Sequence, residues 1–202
     1  MFIGFIGMMG VGKSTMAAAL AKQLGAEAYI EPGAEHWPFP ANEPWENHVA
    51  ALEAWVRNIN LQYFQQARQQ ADAGATTIAD GALFLINRDL LIAECCAWYH
   101  GHLSAAEHKK IRADSENDWL NAPCPDILVL LETDKTIWQQ FLLKRGRHLD
   151  ENAEMIANFE EMQAVIAHSA ETLAANRGIR LIRFTNQPLP PDHLATQLRA
   201  AL

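Results

Sequence analysis

The segment Gly7, Met8, Met9, Gly10, Val11, Gly12, Lys13, Ser14 fits the spacing G-x-x-x-x-G-K-[ST], and Thr15 follows it directly. Glycines in such a segment let backbone N–H groups turn inward without interference from Cβ. The helix that opens behind them adds the positive end of its dipole, so the loop suits phosphate oxygens. Lys13 is spaced to reach the β- and γ-phosphates of a nucleotide, and the Ser14 hydroxyl to ligate Mg²⁺. A chance match in a chain of this length is on the order of one in a hundred or less.

Two acids stand where a second group of reactants would meet this loop. Glu31 and Asp80 each end a short apolar run, and in open α/β sheets ligands bind beyond the carboxyl ends of the strands. Asp80, after Thr76-Thr77-Ile78-Ala79, is expected to hold Mg²⁺ together with Ser14. Glu31 is expected to accept the proton of an attacking hydroxyl. Lys144-Arg145-Gly146-Arg147 reads as part of a mobile lid over about 144–152 that brings Arg145 and Arg147 onto the triphosphate. Trp37 and Phe84 follow the two acids closely and are expected to wall a flat acceptor. His36 and His148 read as loop residues. Cys96 and His100, with Cys95 and His102 beside them, lack the second paired cluster that a metal site needs.

Positioning these groups calls for alternating strands and helices. Short β-rich runs at 2–6, 26–31, 75–80, 127–131 and 179–184 are separated by helical stretches at 13–24, 43–73, 82–99, 104–120, 134–145 and 151–176, with a last helix from about 191. That alternation predicts a three-layer α/β/α fold around a five-stranded parallel sheet. Ser104 and Glu107 have the spacing of a capping box at the start of one helix. The irregular segment 33–44 is rich in proline, and long loops in compact domains are often functional.

Composition narrows the field further. The 202 residues fit one domain, 1–202, and half of them are hydrophobic, enough for a real core. Sixteen Lys and Arg against 24 Asp and Glu leave a net charge of −8, which argues against a nucleic-acid polymer as partner. Three cysteines without paired spacing fit reduced thiols in the cytoplasm. No apolar run approaches the roughly 20 residues that span a bilayer, so no membrane association is expected. The absence of Asn-Lys-x-Asp speaks against a GTPase.

Several of these residues together resemble the P-loop deoxynucleoside kinases. Glu31-Pro32 is similar to that family's Glu-Pro motif, and Ala122-Pro123-Cys124-Pro125-Asp126 to its Pro-x-Pro-Asp strand entry. Lys144-Arg145-Gly146-Arg147, followed by Glu151, is similar to its arginine-rich lid. The resemblance implies ATP as donor, Mg²⁺ as cofactor, and the 5′-hydroxyl of a nucleoside as acceptor, with Glu31 as base and Lys13, Arg145 and Arg147 on the phosphates. It also implies a homodimer, and an acceptor pocket drawn from Glu31, Trp37, Gln62 or Gln65, Phe84, Arg88 and Glu151. Where the family has Arg-Ser after the acid of the third strand, this chain has Gly81-Ala82, and Arg88 is the nearest substitute. Two other readings stay open. One is a nucleoside-monophosphate or other small-molecule kinase, using Arg57, Arg68 and Arg88 for an acceptor phosphate; the other is a nucleotide-binding module without transfer.

Overall fold

A computed structural model describes residues 1–40, 43–86, 96–146 and 153–202. Five strands form one sheet in the order β2-β3-β1-β4-β5, and every pairing is parallel. They are β1 (Phe2–Gly7), β2 (Glu27–Tyr29), β3 (Thr77–Ala79), β4 (Ile127–Glu132) and β5 (Arg180–Thr185). The central strands β1 and β4 are buried along almost their whole length, as expected where helices cover both faces. β5 has only half-buried and exposed positions, which suits its place at the edge.

Among the described residues the helices are α1 (Lys13–Leu24), α2 (Val49–Asp72), α3 (Ala97–His100), α4 (Ala105–Asn121), α5 (Lys135–Arg145), α6 (Ala153–Ala157), α7 (Phe159–Arg177) and α8 (Pro191–Ala201). The capping box forms: Ser104 N donates to Glu107 Oε2 at 2.8 Å and Glu107 N to Ser104 Oγ at 3.3 Å. α2 seals one side of the sheet through Phe64, whose ring packs edge-on against Phe2 at 5.0 Å and Phe84 at 5.1 Å.

Three expected helices are revised. The stretch 43–73 opens with a 3₁₀ turn, Trp45–His48, seated on Pro44, before α2 begins. The stretch 151–176 is divided at Asn158 into α6 and α7. Of the expected helix over 82–99, Ala82–Leu85 form a 3₁₀ turn that ends at Ile86 in extended backbone (φ −87°, ψ 162°), 97–99 belong to α3, and 87–95 lie outside the described residues. Among the described residues no helix is long and apolar enough to cross a membrane.

β2 and β3 are shorter than expected because a side chain takes over their ladder. Asp80 N donates to Tyr29 O at 3.2 Å, but the next donor, Glu31 N, goes to the Asp80 carboxylate at 2.8 Å. The strand ends are thereby tied together at the edge where the phosphate loop lies.

Candidate active site

The loop between β1 and α1 has the backbone its sequence requires. Gly10 and Gly12 adopt φ 77° and 95°, a region that side chains with Cβ rarely enter. Both are also hemmed in: a Cβ on Gly10 would lie 2.5 Å from Leu142 Cδ2, and one on Gly12 2.7 Å from Asn186 Nδ2. α1 begins at Gly12 with no side-chain cap and no acid in its first turn, so its leading N–H groups and dipole are left for an anion. Ser14 and Thr15 are exposed at that mouth.

Two residues that the sequence reading missed brace this loop. Trp138 of α5 donates from Nε1 to Met9 O at 2.8 Å. Asn186, just after β5 and 4% exposed, donates from Nδ2 to Val11 O at 2.6 Å. No local motif marks either residue; the signal was positional, because Asn186 follows β5 and Trp138 lies in the first turn of the helix after β4.

Lys13 joins the loop to the acids. Its Nζ donates to Gly7 O at 2.9 Å and Met8 O at 2.8 Å. Burial pushes its ammonium below the ordinary lysine range; Glu31 and Asp80 pull it back up, and Arg145 pushes it further down. All four groups therefore lie in one electrostatic neighbourhood. Arg145 reaches it from the last turn of α5, which closes at Gly146. Asp80 is 2% exposed. Glu31 Oε2 accepts from Asn60 Nδ2 of α2 at 2.7 Å, a partner the sequence reading also missed. The oxygen donors of Ser14 and Asp80 suit Mg²⁺, which prefers one or two carboxylates alongside substrate phosphates and water. Asp80's buried carboxylate beside Lys13 supplies the charge such an ion needs.

A cleft opens between α2 and α4, lined by Glu53, Arg57, Phe84, Lys110, Asp114 and Asp118 among others. Phe84 lines it, while also packing into the core at 3% exposure. Trp37 is half-buried in a separate cluster with Trp45, Val49 and Leu103; Ala50 and Ile111 belong to that cluster and also line the cleft. Trp37 itself is not among the residues that line the cleft. Arg57 is committed to Asp118, with Nε at 2.5 Å from Oδ2 and Nη2 at 2.6 Å from Oδ1. Arg68 lies farther along α2, paired with Asp126 at 2.6 Å and Asp72 at 2.7 Å.

Gln62 and Gln65 are exposed on α2. At about 100° per residue, Gln62 lies some 200° around the helix from Asn60, whereas Glu53, Arg57, Asn60 and Phe64 share the inward stripe. Arg88, Arg147, His148 and Glu151, with Cys95 and most of the expected lid over 144–152, lie outside the described residues. His36 is exposed. Cys96 Sγ donates to Met162 Sδ at 3.7 Å, and His100 Nδ1 lies 3.2 Å from Cys96 O. Among the described residues no three His, Cys, Asp or Glu side chains group as a metal site.

A parallel sheet in this order, with a phosphate loop from its central strand into α1, is the P-loop kinase fold. Solved structures agree over the whole chain. Deoxyadenosine kinase from M. mycoides with bound dATP superposes with a TM-score of 0.57 at 19% identity, covering 100% of this chain and 98% of that one. Thymidylate kinase from Ehrlichia chaffeensis gives 0.52 at 14% identity, covering 100% and 97%. The YorR protein from Bacillus subtilis in complex with phosphorylated GDP gives 0.50 at 15% identity, covering 100% and 95%. No family model and no curated protein matches the sequence.

Proposed function

We propose that the chain is an ATP-dependent kinase that transfers the γ-phosphoryl group to the 5′-hydroxyl of a nucleoside or deoxynucleoside in the cytoplasm. The observation that carries this reading is the convergence of Lys13, Glu31 and Asp80 at the mouth of the phosphate loop. Lys13 exchanges its bonds to Gly7 O and Met8 O for phosphate oxygens. Mg²⁺ held by Ser14 and Asp80 would neutralise charge on the β- and γ-phosphates. Glu31 takes the proton of the acceptor hydroxyl as that oxygen bonds to the γ-phosphorus. The bond from phosphorus to the β,γ-bridging oxygen breaks, and ADP leaves. Arg145, at the α5 terminus, faces the charge spread over the transferring group.

We place the acceptor in the cleft between α2 and α4, whose charge favours an unphosphorylated acceptor over a nucleoside monophosphate. Arg57 and Arg68, the described candidates for binding an acceptor phosphate, are both engaged by carboxylates. The cleft itself carries Glu53, Glu107, Asp114 and Asp118 against Arg57 and Lys110, so a second phosphate would meet a net negative wall. We expect kcat/KM for nucleosides to exceed that for their 5′-monophosphates by about tenfold or more. The reverse preference in a matched acceptor panel would favour a monophosphate kinase. ATP binding without product from any acceptor would favour a binding module.

A further inference from the structure

Gly81 stands where the resemblance calls for an arginine, and its own backbone does not require glycine: φ is −98°. Space is the reason. A Cβ at Gly81 would lie 1.8 Å from Asn60 Oδ1 and 2.2 Å from Asn60 Cγ. Asn60 fills that space at 1% exposure and donates from Nδ2 to Glu31 Oε2 at 2.7 Å. Its Oδ1 has no hydrogen-bond partner. A buried amide left half-satisfied is costly, and an apolar side chain would fill the gap better if packing were its only task.

We infer that Asn60 is the positioning residue for the Glu31 carboxylate, and that Gly81 is small so that Asn60 can reach it. Glu31 is then fixed at both ends, its backbone N–H by Asp80 Oδ1 at 2.8 Å and its carboxylate by Asn60. The amide orients the carboxylate and itself offers no charge to an acceptor phosphate. Among the described residues, Glu31, Asp80 from the end of β3 and Arg145 from α5 act on Lys13. The inference rests on the reading of Glu31 as base.

The test combines the carbon-13 chemical shift of the Glu31 carboxyl at one fixed pH near neutrality, assigned through Glu31→Gln, with steady-state kinetics. In Asn60→Ala, and in Asn60→Asp, which keeps the size of the side chain, the Glu31 carboxyl resonance should move because the hydrogen bond from Asn60 Nδ2 is lost. In both variants kcat should fall about tenfold or more while acceptor KM changes less. Gly81→Ala should reproduce the Asn60→Ala effects by expelling the amide, and combining the two should add nothing further. An unmoved Glu31 resonance in both Asn60 variants, or additive effects of Gly81→Ala and Asn60→Ala, would overturn the inference. If wild type phosphorylates no acceptor, the reading of Glu31 as base falls, while the resonance still decides whether Asn60 holds Glu31. Should the alanine variant fail to fold, the aspartate variant carries the same test.

Discussion

Lys13 is held by two backbone carbonyls and two nearby acids, at the cost of burying its charge. Triphosphate oxygens would replace the carbonyls and favour the charged ammonium. Replacing Lys13 by Ala should therefore lower kcat by about 10³-fold or more without unfolding the chain, as initial rates and a thermal melt will report. Activity near wild type would remove Lys13 from the phosphate site. Glu31→Gln keeps the shape but not the basicity, and should reduce kcat about 10²- to 10⁴-fold with ATP affinity nearly unchanged. A comparable loss of ATP affinity would mean that Glu31 serves the donor instead. The motif residues were legible because their chemistry is written in local spacing. Asn60 was not, since an asparagine inside a helix reads as surface until the helical phase is fixed. The phase was nonetheless present in the sequence: Glu53, Arg57, Asn60, Phe64 and Ala67 recur at helical spacing on one stripe, and Gln62 falls off it.

Among the elements, the loop after β5 and the body of α5 matter to the phosphate site more than their sequences suggest. Asn186 N donates to Glu132 O at 2.7 Å, and its side chain holds Val11 O, so the edge of the sheet steadies the phosphate loop. Asn186→Ala should lower Tm by about 2–6 °C through the lost buried hydrogen bond and weaken ATP binding more than acceptor binding. Calorimetric titration with an ATP analogue would check this; an unchanged affinity would show that the loop holds its shape unaided. The strand entry before β4 has a structural task of its own. Asp126 accepts from Phe2 N at 2.7 Å and from Arg68 at 2.6 Å. Partial burial would push its carboxyl up, but the Phe2 N–H and Arg68 together draw it below the ordinary range. Because the folded state binds this proton less readily than the unfolded chain, the contribution is present above about pH 4 and is lost as pH falls through the folded value. Asp126→Asn should thus lower Tm by about 2–4 °C at pH 7, with the gap to wild type closing in acid. A gap that persists at pH 2–3 would contradict the assignment.

At the scale of the whole molecule, the five strands and their neighbours were legible because parallel strands buried on both faces leave unmistakable apolar runs such as Phe2–Gly7 and Ile127–Glu132. Where the strands stop was not, since Asp80 ends the β2–β3 ladder with a side chain that no periodicity predicts. The cleft between α2 and α4 escaped for a related reason: it is assembled from two helices, and only packing decides which polar residues face it and which pair off. The proposed transfer is one reaction of the assembled site. The decisive experiment incubates the purified protein with ATP carrying ¹⁸O in its γ-phosphoryl group, Mg²⁺ and pooled nucleosides and deoxynucleosides, with the Lys13→Ala protein as blank, and identifies products by mass. Wild type alone should form a nucleoside 5′-monophosphate bearing the labelled phosphoryl. Labelled phosphate released only to water, or found on an already phosphorylated acceptor and on no nucleoside in matched pools, would contradict it.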